Sequence, residues 1–138
     1  MMSLTRQSVP VLPHGDSFTS KDVMRGGYTL VDAAGAKATI VATGAEVGLA
    51  VEAAKQLSGE GIPTRVVSMP CLELFQEQDK GYIASVLGDA AVFSLEMGRP
   101  EWWCQLTGRF DRCIGRVTAY TALATTPGGG VAASPAPR

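Results

Sequence analysis

The sequence has little of what nucleic-acid-binding and membrane proteins need. Among its 138 residues, lysine and arginine number 12 against 13 acidic residues, which leaves a formal net charge of -1. A near-neutral chain without a basic run has no electrostatic footprint for nucleic acid. No run reaches the roughly 18 apolar residues of a membrane helix, and the first residues lack a signal-peptide core. These absences predict a cytoplasmic protein with neither a nucleic-acid nor a membrane partner.

Cysteine and histidine are also scarce. The three cysteines, Cys71, Cys104 and Cys113, form no CxxC pair, and His14 is the single histidine. This pattern predicts neither a disulfide framework nor a metal site. Cys71 follows a proline at the end of a β-branched run, where it is either a catalytic thiol or a small buried apolar residue. Because no histidine base lies near it in the sequence, the buried residue is the favoured interpretation.

Familiar catalytic signatures are missing too. The sequence contains no GxSxG, GxxxxGK[ST], HExxH or GxGxxG motif, so we predict no catalytic residue within this chain. The pair Trp102-Trp103 has two interpretations, a stacking platform for sugars or bases, or one ring in the core and one at a domain or subunit interface. The interface is favoured because aromatic rings with one wet edge are common there.

What the sequence does contain is the pattern of a globular α/β domain. Hydrophobic residues make up 46% of the chain and charged residues 18%, which is ordinary for a protein with a buried core. Residues 37–44 are an apolar, β-branched run that predicts a buried strand. Val47, Ala50, Val51 and Ala54 then follow helical spacing, and residues 64–69 form a second such strand. This β-α-β unit predicts parallel strands with a right-handed crossover.

The remaining segments extend this alternation. Residues 72–88 have helical spacing with an expected break near Gly81, residues 90–96 predict a third strand, and Pro100 begins a helix that Gly108 ends. A last strand is expected in 112–120, while 26–33 predict a short strand of undetermined direction. The predicted fold is a three-layer α/β/α sandwich around a sheet of about five mostly parallel strands. Residues 1–22 are interpreted as a linker, 23–121 as the domain and 122–138 as a disordered tail.

Two places have the residue types of a ligand site. The ends of parallel strands meet at one edge of a sheet, and here they bring Gly44, Pro70 and Glu96 into a candidate crevice. Gly44 either exposes amides that bind an anion or merely forms a tight turn, and the turn is favoured. Arg6, before a proline-bounded segment, is either a solvated charge or a bidentate phosphate contact. The residues alone do not decide between these alternatives.

Several stretches together resemble one family. "LTRQSVPVLP", "RGGYTLVDA", "LEMG" and the long run "ATIVATGAEVGLAVEAAKQLSGEGIPTRVVSMPCLELFQEQDKGYIASVLGD" are similar to the C-terminal domain of transketolase. The resemblance extends from about residue 3 to residue 98 and more weakly to 115. The "RVVSMPxxELFxxQ" pattern separates it from the equivalent domains of deoxyxylulose-phosphate synthase and the 2-oxo acid dehydrogenase β-type subunits. The resemblance also implies that one strand is antiparallel, which fits residues 26–33.

This resemblance implies a function for a larger protein. Transketolases are homodimers that use thiamine diphosphate with Mg²⁺ or Ca²⁺ to move a two-carbon ketol unit from a ketose phosphate to an aldose phosphate. Their cofactor and metal residues belong to other domains, so the chain alone is expected to bind no cofactor and to be inactive. The family's "L[ST]RQ" arginine contacts the substrate phosphate, and it corresponds to Arg6. The residues after about 115 depart from the family pattern.

Two classes of function therefore remain open. The chain is either the C-terminal domain of a transketolase, as a fragment or as one subunit of a split enzyme, or a stand-alone ligand-binding or regulatory module. The first role implies dimer assembly and contact with sugar phosphates. The second would use the crevice at Gly44, Pro70 and Glu96.

Overall fold

A computed structural model describes residues 8–15 and 18–115. Its sheet has five strands: Tyr28–Val31 (β1), Ala38–Ala42 (β2), Thr64–Ser68 (β3), Ala91–Glu96 (β4) and Cys113–Gly115 (β5). The α-helices are Ser20–Val23 (α1), Glu46–Gly59 (α2), Leu72–Gln76 (α3), Lys80–Leu87 (α4) and Cys104–Thr107 (α5), with 3-10 turns at Pro100–Trp103 and Phe110–Arg112. Within these residues, no helix is long and apolar enough to cross a membrane.

The sheet confirms the predicted mixed architecture. The strand order is β1-β3-β2-β4-β5, and β2, β3, β4 and β5 run parallel to one another. β1 alone is antiparallel, pairing Tyr28 with Ser68 of β3. The two-residue repeat of a strand sends alternate side chains to opposite faces. Helices pack against both faces of the central strands, so both sets of side chains are buried. This explains the continuous apolar runs of these strands.

Two core clusters lie on the two faces of the sheet. On one face, Ile40 and Val66 pack against the α2 residues Val47, Ala50 and Ala54, the stripe expected from the helical spacing. On the other face, residues from the strands, α3, α4 and the turn before α5 form the second cluster, whose buried members are Val41, Val67, Met69, Phe75, Val86 and Trp103. The neighbouring residues Ile40 and Val41 thus bury opposite faces, which produces the three layers.

The predicted helix over 72–88 is interrupted earlier than expected. The sequence predicted a break near Gly81, and the structure has it a few residues earlier: α3 ends at Gln76, and α4 begins at Lys80 and contains Gly81. The reason is a cap, because the Asp79 side chain accepts a hydrogen bond of 2.9 Å from the Tyr82 backbone amide. An aspartate at this position satisfies an amide that has no partner within the helix.

A short helix lies near the beginning of the described domain and a strand lies at its end. α1 begins at Ser20, inside the segment interpreted as a linker, and Thr19 precedes it as a capping residue whose backbone N–H donates to Asp22 at 2.7 Å. β5 covers Cys113–Gly115, the beginning of the strand predicted within 112–120. The rest of that strand and the tail 122–138 lie outside the described residues.

Candidate functional site

The carboxyl ends of the three adjacent strands β3, β2 and β4 form the edge where the sequence predicted a crevice. Ala42, near the end of β2, pairs with Ser68 on one side and with Leu95 on the other. Gly44 and Pro70, which are both exposed, follow these strand ends, and the half-buried Glu96 ends β4. The structure therefore places the three predicted residues on neighbouring strands at one edge of the sheet.

Gly44 has the geometry that a tight turn requires. Its φ of +57° lies in the left-handed region that favours glycine. The Glu46 and Val47 amides already donate to the Thr43 and Gly44 carbonyl oxygens, at 3.2 and 3.4 Å. Two of the first amides of α2 therefore have partners, and the Glu46 carboxylate adds negative charge to this first turn. The turn alone accounts for the glycine.

Glu96 is committed to a local hydrogen bond. Its Oε1 accepts from the Gly98 backbone amide at 2.8 Å, so the half-buried carboxylate has the partner that burial requires. With Glu46 on the neighbouring turn, this edge has two carboxylates. Within residues 8–15 and 18–115, no group of three histidine, cysteine, aspartate or glutamate side chains is arranged to hold a metal ion.

A cleft of about 310 Å³ lies beside this edge. Its walls are the chain segment Ser8–Pro10, the first turns of α2 including Glu46, and Met97 after β4. Gly44, Pro70 and Glu96 themselves do not line it. The wall formed by Ser8–Pro10 was not predicted, because an irregular segment has no periodicity that would indicate where it packs.

Arg6 lies outside the described residues, two positions before Ser8. Among the described residues that line the cleft, the charged groups are the carboxylates of Glu46 and Glu52. An acidic wall repels a phosphate dianion unless a cation is brought to it. This cleft by itself therefore lacks the charge needed to hold a sugar phosphate.

The contacts of Cys71 among the described residues are structural and include no histidine base. It precedes α3, its backbone amide donates to the Gly26 carbonyl oxygen at 2.9 Å, and its Sγ lies 3.5 Å from Glu73 Oε2. The histidine of the chain, His14, instead stacks on Phe18 with ring centroids 4.0 Å apart. The thiol is half-buried, rather than fully buried as the sequence suggested.

A larger cavity, about 420 Å³, lies beside β1 and was not predicted. Its two carboxylates already have partners. Asp22 accepts hydrogen bonds from the Thr19 backbone amide and hydroxyl, which lower the pKa of that carboxyl, and Asp32 pairs with Arg65 at 2.8 Å. Among its described lining residues, no carboxylate is left without a partner to recognise a ligand.

The tryptophan pair is divided between core and surface. Trp103 is buried in the second core cluster, whereas Trp102 is 68% exposed. Met97, Phe110 and Ile114 are also more than half exposed. A single exposed ring does not form the two-sided stack that a sugar or base platform needs, so the arrangement favours the interface interpretation.

Comparisons with known proteins identify the family. The model of the transketolase-like TK C-terminal domain matches residues 26–120. Transketolase from Mycobacterium leprae is 44% identical over 118 residues, which cover 80% of this chain and 16% of that protein. Transketolase 1 from Vibrio vulnificus is 44% identical over 100 residues, 70% of this chain and 15% of that protein.

Solved structures agree with this assignment. A mutant transketolase from Pichia stipitis superimposes with a TM-score of 0.66 at 40% identity, over 72% of this chain and 14% of that one. Transketolase from Leishmania mexicana gives a TM-score of 0.60 at 43% identity, over 66% and 13%. This chain thus spans about one-sixth or less of each of these four proteins. On the family match, the identity and the shared sheet, the chain belongs to the transketolase C-terminal domain family.

Proposed function

We propose that this chain serves as the C-terminal domain of a transketolase, within an enzyme that moves a two-carbon ketol unit from a ketose phosphate to an aldose phosphate. The strongest support is the family match over residues 26–120, and similar proteins that are named transketolase agree with it. Those names favour transketolase over the equivalent domains of deoxyxylulose-phosphate synthase and 2-oxo acid dehydrogenases. A cytoplasmic location is part of the same proposal.

The residues present do not fit the cofactor of the parent enzyme. Thiamine diphosphate with Mg²⁺ or Ca²⁺ needs oxygen ligands for the metal, and the described residues offer no such cluster. We therefore expect the purified chain to bind no thiamine diphosphate and to have no transketolase activity. Isothermal calorimetry with thiamine diphosphate and Mg²⁺ measures this, and micromolar binding would contradict it.

The parent function is tested by assembly. Where the reading frame upstream of Met1 encodes the other two transketolase domains, these domains can be produced and either fused to this chain or mixed with it. Adding this chain to those domains is expected to restore ketol transfer that neither part has alone. Activity of the other domains without this chain, unchanged on its addition, would contradict the proposal.

Arg6 is proposed to contact the substrate phosphate in that assembled enzyme. In the sequence, Arg6 comes two positions before Ser8, which lines the cleft. A transketolase from Pichia stipitis has been solved with sedoheptulose 7-phosphate, at a TM-score of 0.62 and 40% identity over 67% of this chain and 14% of that one. A guanidinium would also offset the carboxylates of Glu46 and Glu52 beside that cleft.

Replacing this arginine tests the contact. Arg6→Ala in the assembled enzyme is expected to raise KM for a ketose phosphate about 10- to 100-fold, the range for a lost hydrogen bond to a charged group. Arg6→Lys should recover part of the loss, because lysine keeps the charge without the bidentate fork. KM for an unphosphorylated ketose is the control, and an equal rise for both substrates would contradict phosphate recognition.

Dimer assembly is the other proposed role. Trp102, Met97, Phe110 and Ile114, which lie in the turns after β4 and in β5, each leave more than half of their surface exposed. Burial of such side chains stabilises association by roughly 25 cal/mol per Å² of apolar surface. We expect Trp102→Ser to weaken association with the remaining domains or a second subunit in sedimentation velocity, and Val11→Ser, a 98% exposed residue elsewhere, to leave it unchanged.

The cleft beside α2 supports a second candidate function, that of a ligand-binding or regulatory module. A ligand at 100 times its Kd adds about 2.7 kcal/mol to the free energy of unfolding. A thermal-shift screen of sugar phosphates and nucleotides tests this. Shifts that disappear in Leu49→Ser, a variant of a residue that lines the cleft, would favour the module, and the absence of any shift favours the domain role alone.

A further inference from the structure

Two cysteines lie side by side although eight residues lie between them in the chain. Cys104 is the first residue of α5 and Cys113 the first of β5, and their Sγ atoms are 3.6 Å apart. Both side chains are half-buried, so each retains contact with solvent. We propose that Cys104 and Cys113 are a redox pair, which a small disulfide oxidant converts into an intramolecular disulfide that joins α5 to β5.

The surroundings bring the two sulfur atoms together. Cys113 packs against the second core cluster, as does Leu106 of α5. Its Sγ lies 3.2 Å from Thr107 Oγ1 and 3.5 Å from the Arg109 carbonyl oxygen. A disulfide places its sulfur atoms about 2.0 Å apart, so each needs to move by less than about 1 Å. These sulfur contacts are weak, so giving them up costs little.

The reaction is a two-step exchange with a disulfide such as oxidised glutathione. The thiolate of one cysteine attacks a glutathione sulfur, which forms a mixed disulfide and releases one glutathione thiolate. The second cysteine attacks the protein sulfur of that mixed disulfide, which forms the Cys104–Cys113 bond and releases the other glutathione. Two electrons and two protons pass from the protein thiols to the oxidant, which becomes two glutathione thiols.

Cys71 provides an internal comparison. It is half-buried like the other two, but its Sγ contacts Glu73 Oε2 and no thiol among the described residues. A cysteine without a neighbouring thiol stops at the mixed disulfide. The same oxidant is therefore expected to leave glutathione on Cys71 and to close the other pair.

A bond between Cys104 and Cys113 would stabilise the outer strand of the sheet. Among the strands that the structure describes, β5 pairs only with β4, through three register pairs that begin at Ser94 and Cys113. A link from β5 to α5 restricts the unfolded chain over this short connection. Oxidation is therefore expected to raise the thermal midpoint of the chain by about 5 °C or more.

Peptide mapping identifies the bond directly. Arg109 and Arg112 lie between the two cysteines, so trypsin places Cys104 and Cys113 in different peptides, and Cys71 in a third. The purified chain is incubated with oxidised glutathione at about pH 8.5, because burial raises the pKa of Cys104 and thiolates are the reactive form. Non-reducing digestion and mass spectrometry should show the Cys104 and Cys113 peptides linked, with two hydrogen atoms lost.

Variants separate this pair from general oxidation. Cys71→Ser should leave the linked peptide and the rise in thermal midpoint intact. Cys104→Ser and Cys113→Ser should each remove both, and leave glutathione on the remaining partner. Glutathione on both cysteines of the unaltered chain, a link to Cys71, a bond between two chains, or a linked chain without the thermal rise would overturn the proposal.

Discussion

Gly26, two residues before β1, lies directly against the backbone at the start of α3. It is buried with a φ of +86°, and its carbonyl oxygen accepts from the Cys71 backbone amide at 2.9 Å. A Cβ at this position would overlap the Cys71 carbonyl oxygen and the Phe75 amide nitrogen. These are backbone atoms, which cannot rotate away as the end of a side chain can. Both the conformation and the space therefore require glycine.

Gly26→Ala is expected to lower the free energy of unfolding by about 3 kcal/mol or more, since it combines backbone strain with a clash. Urea unfolding followed by circular dichroism measures the loss. Gly35→Ala is the matched control, because Gly35 also has a positive φ, +64°, but nothing lies within 4 Å of its added Cβ. That change should cost about 1 kcal/mol, and equal losses would contradict the role of close packing.

Ser94 and Thr39 are two buried hydroxyls with different partners. Ser94 is 1% exposed and its Oγ has no hydrogen-bond partner in the described part of the chain. Thr39 Oγ1 donates to the Leu87 carbonyl oxygen at 2.8 Å, at the end of α4 where carbonyl groups lack helical partners. A buried hydroxyl without a partner is destabilising, whereas a paired one is not.

Ser94→Ala is therefore expected to leave stability unchanged or to raise it by about 1 kcal/mol. Thr39→Val, which keeps the shape and removes the hydroxyl, should cost about 1 to 2 kcal/mol because the Leu87 carbonyl loses its donor. Both values come from urea unfolding. A cost for Ser94→Ala as large as that for Thr39→Val would mean that the Ser94 hydroxyl has a partner after all.

At the scale of elements, Tyr82 joins α4 to the chain that enters β1. Its hydroxyl donates to the Gly27 carbonyl oxygen at 2.8 Å, and the Arg25 guanidinium carbon lies 3.1 Å from the ring centroid. Burial raises the pKa of the Tyr82 phenol above 10.0, an effect that the positive charge of Arg25 partly offsets. The contact is thus sensitive to alkaline pH.

The sign of that sensitivity follows from linkage. As pH rises from 10.0 toward the higher pKa of the folded protein, the unfolded chain loses the phenolic proton while the folded chain keeps it. The free energy of unfolding therefore falls in this window. Tyr82→Phe, which has no phenolic proton, should show a smaller fall between about pH 9 and 11 in urea unfolding. Identical pH profiles would contradict this account.

Most of the helices and strands could be predicted because buried elements have recognisable apolar patterns in the sequence. The runs around Val41 and Val67 read as buried strands, and the spacing from Val47 to Ala54 indicated a helix. The break before α4 was misplaced because glycine was weighed more heavily than the Asp79 cap. Contacts across the fold, such as that between Cys104 and Cys113, leave no periodic signal in the sequence, since eight residues lie between the two cysteines.

The site was predictable only in outline. Parallel strands bring their ends to one edge, so the positions of Gly44, Pro70 and Glu96 followed from the strand assignment. The sequence did not indicate that Glu96 turns back to the Gly98 amide, or that Ser8–Pro10 forms a cleft wall. Side-chain direction and irregular packing depend on tertiary contacts, which no local pattern encodes.

At the scale of the whole molecule, stability is expected to decrease from the centre of the sheet to the β5 edge. β2 and β3 have partners on both sides, and Val41, Val66 and Val67 are fully buried. Among the described strands β5 pairs with β4 alone, and Ile114 is 55% exposed. The outer strand therefore loses fewer contacts when it opens.

Hydrogen exchange followed by NMR measures this gradient. In the reduced chain, the amides of Val41 and Val67 are expected to exchange roughly 100-fold or more slowly than those of Ile114 and Gly115. Uniform protection across the five strands would contradict the expected gradient and would indicate that the sheet opens as one unit.

The antiparallel direction of β1 determines the edge of the sheet from which the chain enters the domain. Since Tyr28 lies opposite Ser68, at the end of β3, the chain enters β1 from the same edge at which the parallel strands finish. A parallel β1 would have its entrance at the far edge, about 15 Å away for a strand of this length. One reversed outer strand thus lets the short segment before it, which includes Ser8–Pro10, lie beside the ends of the parallel strands.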